Sequence, residues 1–236
     1  MNQDAYPPLE ERDRQRAWLA LALLVPAPSL GALFLLWIWP GALGSAIWGV
    51  SKVWLLAFPL LWWRFVDKQR WSASPVRNGG LRVGAASGVV IAGAIAVTYI
   101  GFGEALVDPA RLRTMASKNG LDQPATYLGL AVYLSFVNSL AEEYVWRWFV
   151  FTKCEKIMPR GAAVVAAGVF FMIHHTIALA AQFGWEITIL GSVGTLIGGV
   201  AWSFLYLRYR SVWPGYVSHV LADLAVFAVG WDILGL

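Results

Sequence analysis

Residues 138–151 have the sequence NSLAEEYVWRWFVF, an apolar run of the kind that crosses a lipid bilayer. Asn138, Glu142, Glu143 and Arg147 all lie within it. Ionisable side chains are unfavourable in hydrocarbon, so those that occur there usually face the protein interior and serve a function. The stretch therefore predicts a membrane fold and, inside that fold, a polar site.

The composition of the whole chain supports a membrane fold. Of its 236 residues, 58% are hydrophobic and 14% are charged, whereas a soluble domain carries roughly 25% charged residues. The apolar residues form long blocks, each near the ~20 residues that a spanning helix needs. We predict an all-α, polytopic transmembrane helical bundle with about seven spans, or eight helices in all, as one integral membrane domain over residues 1–236. The predicted spans are residues 17–39, 43–63, 82–103, 127–151, 162–183, 187–207 and 212–231.

The lysines and arginines of the links predict the orientation. They precede the first span and follow the second, fourth and sixth spans, so most of them fall on one side if the spans alternate; five lie in the link 64–82. We predict an integral protein of the bacterial inner membrane with a cytoplasmic N-terminus. The net charge of +4 follows from this bias, and we expect membrane lipid, not nucleic acid, as a partner.

Ionisable residues within the predicted spans lie on helices that are far apart in sequence. At 1.5 Å per residue, Glu142 lies about 13 Å, His175 about 20 Å and His219 about 10 Å from the predicted cytoplasmic ends of their helices. These overlapping depths are compatible with one buried site. The full set is Lys52, Glu142, Glu143, Arg147, His174, His175, His219 and Asp223, and it includes all three histidines of the chain.

Helical spacing separates the two adjacent glutamates. Glu143 and Arg147 are four residues apart, so they share a face and can form an ion pair. Glu142 points about 100° away from Glu143 and shares its stripe with Asn138. One carboxylate can then be neutralised while the other faces a cavity, where it could act as a base.

Each polar residue also has a structural interpretation. The Glu143–Arg147 pair could orient two helices, and either His174 or His175 could hydrogen-bond a backbone carbonyl. Lys52 by itself is typical of a lysine whose stem lies along apolar surface while its ammonium reaches water. A purely structural role for all of them together is less favoured, because His219 and Asp223 add a further polar pair, four residues apart, on another helix.

Three motifs resemble those of the CAAX protease and bacteriocin-processing family, the CPBP family of intramembrane endopeptidases, which includes the type 2 CAAX prenyl proteases. The motifs are Glu142-Glu143-x-x-x-Arg147, Phe-x-x-x-His and His219-x-x-x-Asp223. They occur in the family's order, each on its own predicted helix. The resemblance covers residues 125–232 and implies an intramembrane protease-like core formed by the last four spans.

The resemblance implies a role for each matching residue. Glu142 is expected to activate water with assistance from a histidine, and Glu143 with Arg147 to support it. The second motif fits both Phe170–His174 and Phe171–His175, and we favour His175, with His174 as the alternative.

The third motif is expected to act on the scissile carbonyl. His219 would stabilise the oxyanion. The family carries asparagine or aspartate at the position of Asp223, and an ionised aspartate cannot donate a hydrogen bond. We therefore expect Asp223 to orient His219.

The resemblance implies hydrolysis of a peptide bond in a membrane-associated substrate, such as a prenylated C-terminus or a membrane-anchored sorting signal. We favour a glutamic mechanism that requires no cofactor. A metalloprotease using zinc is the alternative, and its ligands would be Glu142, His175 and His219, although the zinc-binding pattern HExxH is absent. Two other function classes fit the same buried cluster: a proton-coupled transporter, and a non-catalytic membrane scaffold.

Overall fold

The computed structural model describes residues 11–69 and 78–236, and these fold into eight helices without a β-strand. The all-α bundle predicted from the sequence is confirmed. Residues 1–10 and 70–77, which include Arg70 and Arg77 of the basic link, lie outside the described residues. The helices are α1 (Glu11–Ile38), α2 (Ala42–Val66), α3 (Leu81–Leu106), α4 (Pro109–Lys118), α5 (residues 124–154), α6 (Arg160–Gln182), α7 (Trp185–Tyr209) and α8 (Trp213–Leu234).

Six of these helices are long and apolar enough to cross a membrane: α1, α2, α3, α6, α7 and α8. The fourth predicted span, residues 127–151, is helical within α5 but is not one of the six. Asn138, Glu142, Glu143 and Arg147 make α5 more polar than its neighbours. Its residues 145–151 are nonetheless all buried in the protein, whereas apolar residues of its first half, such as Leu128, Val132 and Val137, are exposed. The second half of α5, which carries Glu143 and Arg147, therefore lies inside the bundle.

The α5 helix also changes its winding along its length. It is α-helical over Pro124–Val132 and Ser139–Glu142 and π-helical over Tyr133–Asn138 and Glu143–Phe151. π-Helical turns are uncommon and frequently occur at functional sites. Glu142 lies at the junction between the central α-helical turn and the second π-helical segment.

Two helix pairs form the long contacts of the bundle, α6 with α7 and α3 with α8. The second pair depends on a glycine, because a Cβ atom at Gly84 would lie 2.2 Å from the carbonyl oxygen of Pro214. This close approach brings Ser87 of α3 to Ser218 of α8, with 2.7 Å between their hydroxyl oxygens. Gly84 and Gly88 of α3 therefore allow close helix packing, as is typical of small residues in membrane bundles.

Contacts between helix ends agree with alternating spans. At one end of the bundle, Lys153 pairs with Asp67 and Arg210 pairs with Glu155. At the other end, the Tyr99 hydroxyl donates to Asp232 over 2.6 Å. The first end is the one for which the sequence predicts a cytoplasmic location.

The short helix α4 lies in the link between the third and fourth predicted spans. It begins after Asp108, whose side chain accepts hydrogen bonds from the backbone N–H groups of Ala110 and Arg111. Pro109 occupies the first turn, where its missing N–H has no consequence. This helix accounts for the count of eight helices.

Candidate active site

Glu142 is the meeting point of side chains from three helices. Its Oε2 atom lies 3.7 Å from Nε2 of His219 on α8, and the side chain of Asn138, one turn earlier on α5, is close enough to interact with its carboxylate. On α6, one ring nitrogen each of His174 and His175 lies within 4.8 Å of a Glu142 carboxylate oxygen and of the other. The residues that the sequence places at similar depths are thus brought together.

Glu143 has a different environment from its neighbour. Its side chain and that of Arg147 are both 0% exposed, and 3.5 Å separates Arg147 Nε from Glu143 Oε1. The same Oε1 accepts a hydrogen bond of 3.1 Å from Nδ1 of His219. The Glu143–Arg147 ion pair therefore contacts the Nδ1 edge of the His219 ring, and Glu142 approaches the Nε2 edge of the same ring.

Aromatic rings surround the buried guanidinium. The Arg147 guanidinium carbon lies 4.6 Å from the ring centre of Phe171 and 5.1 Å from that of Trp202. Its Nη2 donates to the carbonyl oxygen of Gly199 at 3.4 Å. These contacts suit a planar, weakly hydrated guanidinium better than they would suit a lysine.

Two further contacts orient His219. Its ring stacks on Trp202, with 3.8 Å between ring centres and 19° between planes. The indole Nε1 of Trp202 donates a hydrogen bond of 3.0 Å to Oγ of Ser218. Trp202 is thereby linked to α8, the helix that carries His219. With Nδ1 donating to Glu143, Nε2 of His219 is directed at carboxylates.

Asp223 lies one turn beyond His219 and faces the same nitrogen. Its Oδ1 is 3.7 Å from His219 Nε2, and its Oδ2 accepts a hydrogen bond of 2.6 Å from Ser139. The direct contact with His219 Nδ1 comes from Glu143, not from Asp223. The role that the sequence assigns to Asp223 stays a prediction.

His174 and His175 differ in their partners although both approach Glu142. The Nδ1 atom of His175 donates a hydrogen bond of 3.0 Å to the carbonyl oxygen of Phe171. Its Nε2 atom can then accept a hydrogen bond when the ring is neutral and donate one when the ring is charged. His174 stacks on Trp146 with 5.3 Å between ring centres and 8° between planes. Its Nδ1 is buried and has no hydrogen-bond partner among the described residues.

A cavity of about 170 Å³ lies beside Glu142. Its polar lining consists of Glu142, His174, His175, Lys52 and Ser51, and α1, α2 and α6 supply the apolar remainder. Neither His219 nor Asp223 lines it. The space is large enough for water and for part of an extended peptide.

The donor set of the cavity fits a zinc ion chemically, because one carboxylate oxygen and two imidazole nitrogens are common zinc ligands. In the described part of the chain, the group that brings such atoms together is Glu142, His174 and His175. This set replaces the His219 of the predicted ligand set with His174. Lys52 lines the same cavity, and its positive charge opposes a divalent cation there.

Sequence reasoning did not single out Trp202, because it belongs to an apolar stretch with no distinguishing spacing. Lys52 did carry a signal, because a lysine in the middle of a span is rare, but its own helix offers no polar partner from which to place it.

The fold and site define a class: a polytopic helical membrane protein with a carboxylate and histidine cluster buried between its helices. Residues 124–225 match the model of a protein family described as type II CAAX prenyl endopeptidase Rce1-like. The segment that carries the cluster therefore resembles this family of CAAX-type proteases, as its motifs predict. No match was found among the curated proteins or among the solved structures.

Proposed function

We propose that this protein is an intramembrane endopeptidase that hydrolyses a peptide bond of a membrane-associated substrate, such as a prenylated C-terminus or a membrane-anchored sorting signal. The observation that carries the proposal is the position of Glu142. Its carboxylate lies between imidazoles of two other helices and lines a cavity between α1, α2 and α6.

Glu142 would act as the general base. A water molecule in the cavity would give its proton to Glu142 while its oxygen attacks the scissile carbonyl. His175, whose Nδ1 is held by the Phe171 carbonyl, would position that water through Nε2, and His174 is the alternative. The proton taken by Glu142 would then pass to the leaving amine, so that the carboxylate is regenerated.

His219 would assist from the other side of Glu142. Its Nδ1 contact with Glu143 holds the ring so that Nε2 faces Glu142 and Asp223. In this position it can stabilise charge that develops on the oxyanion as the tetrahedral intermediate forms. Glu143, Arg147 and Trp202 would act as positioning residues.

The proposed mechanism requires no cofactor. If zinc were bound, Glu142, His174 and His175 would hold it, and it would polarise the scissile carbonyl and lower the pKa of a bound water. In the metal-free mechanism the charged groups of the chain itself supply the base and the electrophilic assistance.

The experiment is a comparison of peptide termini in membranes of cells that carry the wild-type protein or Glu142→Ala. We expect new termini, from membrane-associated proteins, that occur with the wild-type protein only. Identical termini in both samples, with both proteins folded and equally abundant, would reject the endopeptidase.

Further substitutions at Glu142 and His175 separate the other two function classes. A transporter would show proton-driven flux in liposomes that Glu142→Gln abolishes, with no new peptide termini. A scaffold would lose thermal stability in detergent on substitution of Glu142 or His175, again without a missing cleavage product.

A further inference from the structure

Lys52 lies too deep in the bundle for an ordinary surface lysine. It is near the middle of α2 (Ala42–Val66), about 15 Å along the helix from its first residue. Lysines near the ends of spanning helices extend to the interface, whereas those in the middle are paired or face a polar cavity. The position of Lys52 thus requires a partner inside the protein.

The contacts of the Lys52 ammonium within the protein satisfy it only in part. The Lys52 ammonium lies 5.3 Å from the ring centre of Trp48. No carboxylate of the described residues forms an ion pair with it within 4.0 Å. It is close enough to Glu142 and His174 to interact with them electrostatically, and it lines the same cavity. The Lys52 ammonium therefore lies at the cavity, and none of its hydrogen-bond donors is taken up by a carboxylate of the described residues.

Two other cationic groups near Glu142 do not line the cavity. Arg147 is fully buried behind Glu143, and it does not line the cavity. His219 does not line it either, because its two nitrogens face Glu143 on one edge and Glu142 with Asp223 on the other. Among the residues that line the cavity, Lys52 is the lysine or arginine.

We propose that Lys52 binds an anionic oxygen of the substrate next to Glu142. The inference rests on the proposed function, and it assigns to the reaction a residue that lies outside the three motifs and outside the matched segment. An anionic oxygen has two sources in peptide hydrolysis. One is the oxyanion that forms on the scissile carbonyl, and the other is a carboxylate that the peptide already carries at its C-terminus.

The test uses the purified full-length protein in lipid nanodiscs and two farnesylated peptides that differ only in a free or an amidated C-terminus. The variants are Lys52→Gln, which removes the charge, and Lys52→Arg, which keeps it. Lys118→Gln is the matched control, because Lys118 is an exposed lysine at the end of α4. Thermal unfolding of each variant separates a folding defect from a catalytic one.

We expect Lys52→Gln to reduce kcat/KM at least tenfold, with Lys52→Arg retaining most of the activity and Lys118→Gln all of it. A fall in kcat for both peptides would assign the oxyanion. A rise in KM confined to the free carboxylate would assign the C-terminus. Folded Lys52→Gln protein that cleaves both peptides like wild type would overturn the inference and leave the proposed function intact.

A binding measurement covers the remaining case. If the wild-type protein cleaves neither peptide, the proposed function fails for these peptides, and binding of the fluorescently labelled free-carboxylate peptide decides the inference. Weaker binding by Lys52→Gln than by wild type, with Lys118→Gln unchanged, would support an anion-binding role for Lys52. Equal binding by all three proteins would overturn it.

Discussion

At the scale of single residues, two identical neighbours have different environments. Glu143 is 0% exposed, and one of its oxygens faces both Arg147 and His219. Glu142 is 13% exposed and lies at the cavity with the histidines of α6. The helical separation of adjacent residues, about 100°, is sufficient to produce this difference. A pair of carboxylates thereby supplies one positioning group and one candidate base.

Arg147 provides a stability test of this arrangement. Replacing it by Met, a side chain of similar length, leaves the Glu143 carboxylate buried without its cation. Breaking a buried ion pair on one side costs about 3–5 kcal/mol of unfolding free energy. We expect a loss of this order in detergent unfolding experiments on Arg147→Met.

The double variant Arg147→Met/Glu143→Gln serves as the control. It removes the uncompensated charge and is expected to recover part of the lost stability, whereas activity stays low because His219 loses its carboxylate partner. A single Arg147→Met variant as stable as the wild-type protein would contradict the account of the pair.

The sequence predicts the polar residues of the site more completely than their contacts. The spacing of Glu142, Glu143 and Arg147 gives the ion pair, because it depends on one helix only. The contact of Glu143 with His219 and the stacking of Trp202 on that ring join different helices. Such contacts depend on helix rotation and approach, which no local spacing specifies.

At the scale of helices, α5 is the exception in the bundle. The sequence places a spanning helix over residues 127–151, and the structure has a helix there that is more polar than the six apolar spans. Residues 145–151 are buried, so the second half of α5 is surrounded by other helices, whereas its first half exposes apolar side chains such as Val132 and Val137. Its π-helical segments could not be predicted, because they arise from packing and not from a residue pattern.

The contact of α3 with α8 allows a second test. Gly84→Ala would place a methyl group against the backbone of Pro214, and we expect it to push the helices apart at about 1–3 kcal/mol of stability. Because His219 lies on α8, cleavage should fall as well. Detergent unfolding and peptide cleavage measure the two effects.

Gly93→Ala is the matched control on the same helix. A Cβ atom at Gly93 would meet nothing within 4 Å, so this substitution should leave stability and cleavage near the wild-type values. Equal effects of the two substitutions would show that helix propensity, not the close approach of α3 to α8, governs the response.

At the scale of the whole molecule, alternation of the spans is the feature that the sequence predicts best. The basic links indicate which helix ends lie together, and the contacts between Asp67 and Lys153 and between Glu155 and Arg210 join such ends. The depth estimates likewise anticipate that α5, α6 and α8 share a site. The contribution of Lys52 on α2 to the same site could not be predicted from the sequence, because it depends on how the helices are arranged.

The requirement for a metal is also a property of the assembled site. We expect removal of divalent metals from the purified protein by chelation to leave cleavage unchanged, because the proposed base is Glu142 and the proposed anion-binding group is Lys52. The measurement is peptide cleavage together with the metal content of the protein before and after chelation. Loss of cleavage on chelation, restored by zinc, would instead assign Glu142, His174 and His175 as ligands.

The central claim is that Glu142 catalyses peptide hydrolysis within the bundle. The most direct measurement is cleavage of a farnesylated peptide by purified protein in nanodiscs, comparing Glu142→Gln with Glu186→Gln, a variant of an exposed glutamate at the start of α7. We predict that Glu142→Gln folds but loses at least 100-fold in kcat, on the order expected for general-base catalysis, while Glu186→Gln retains wild-type activity. Folded Glu142→Gln protein that cleaves the peptide at the wild-type rate would contradict the claim.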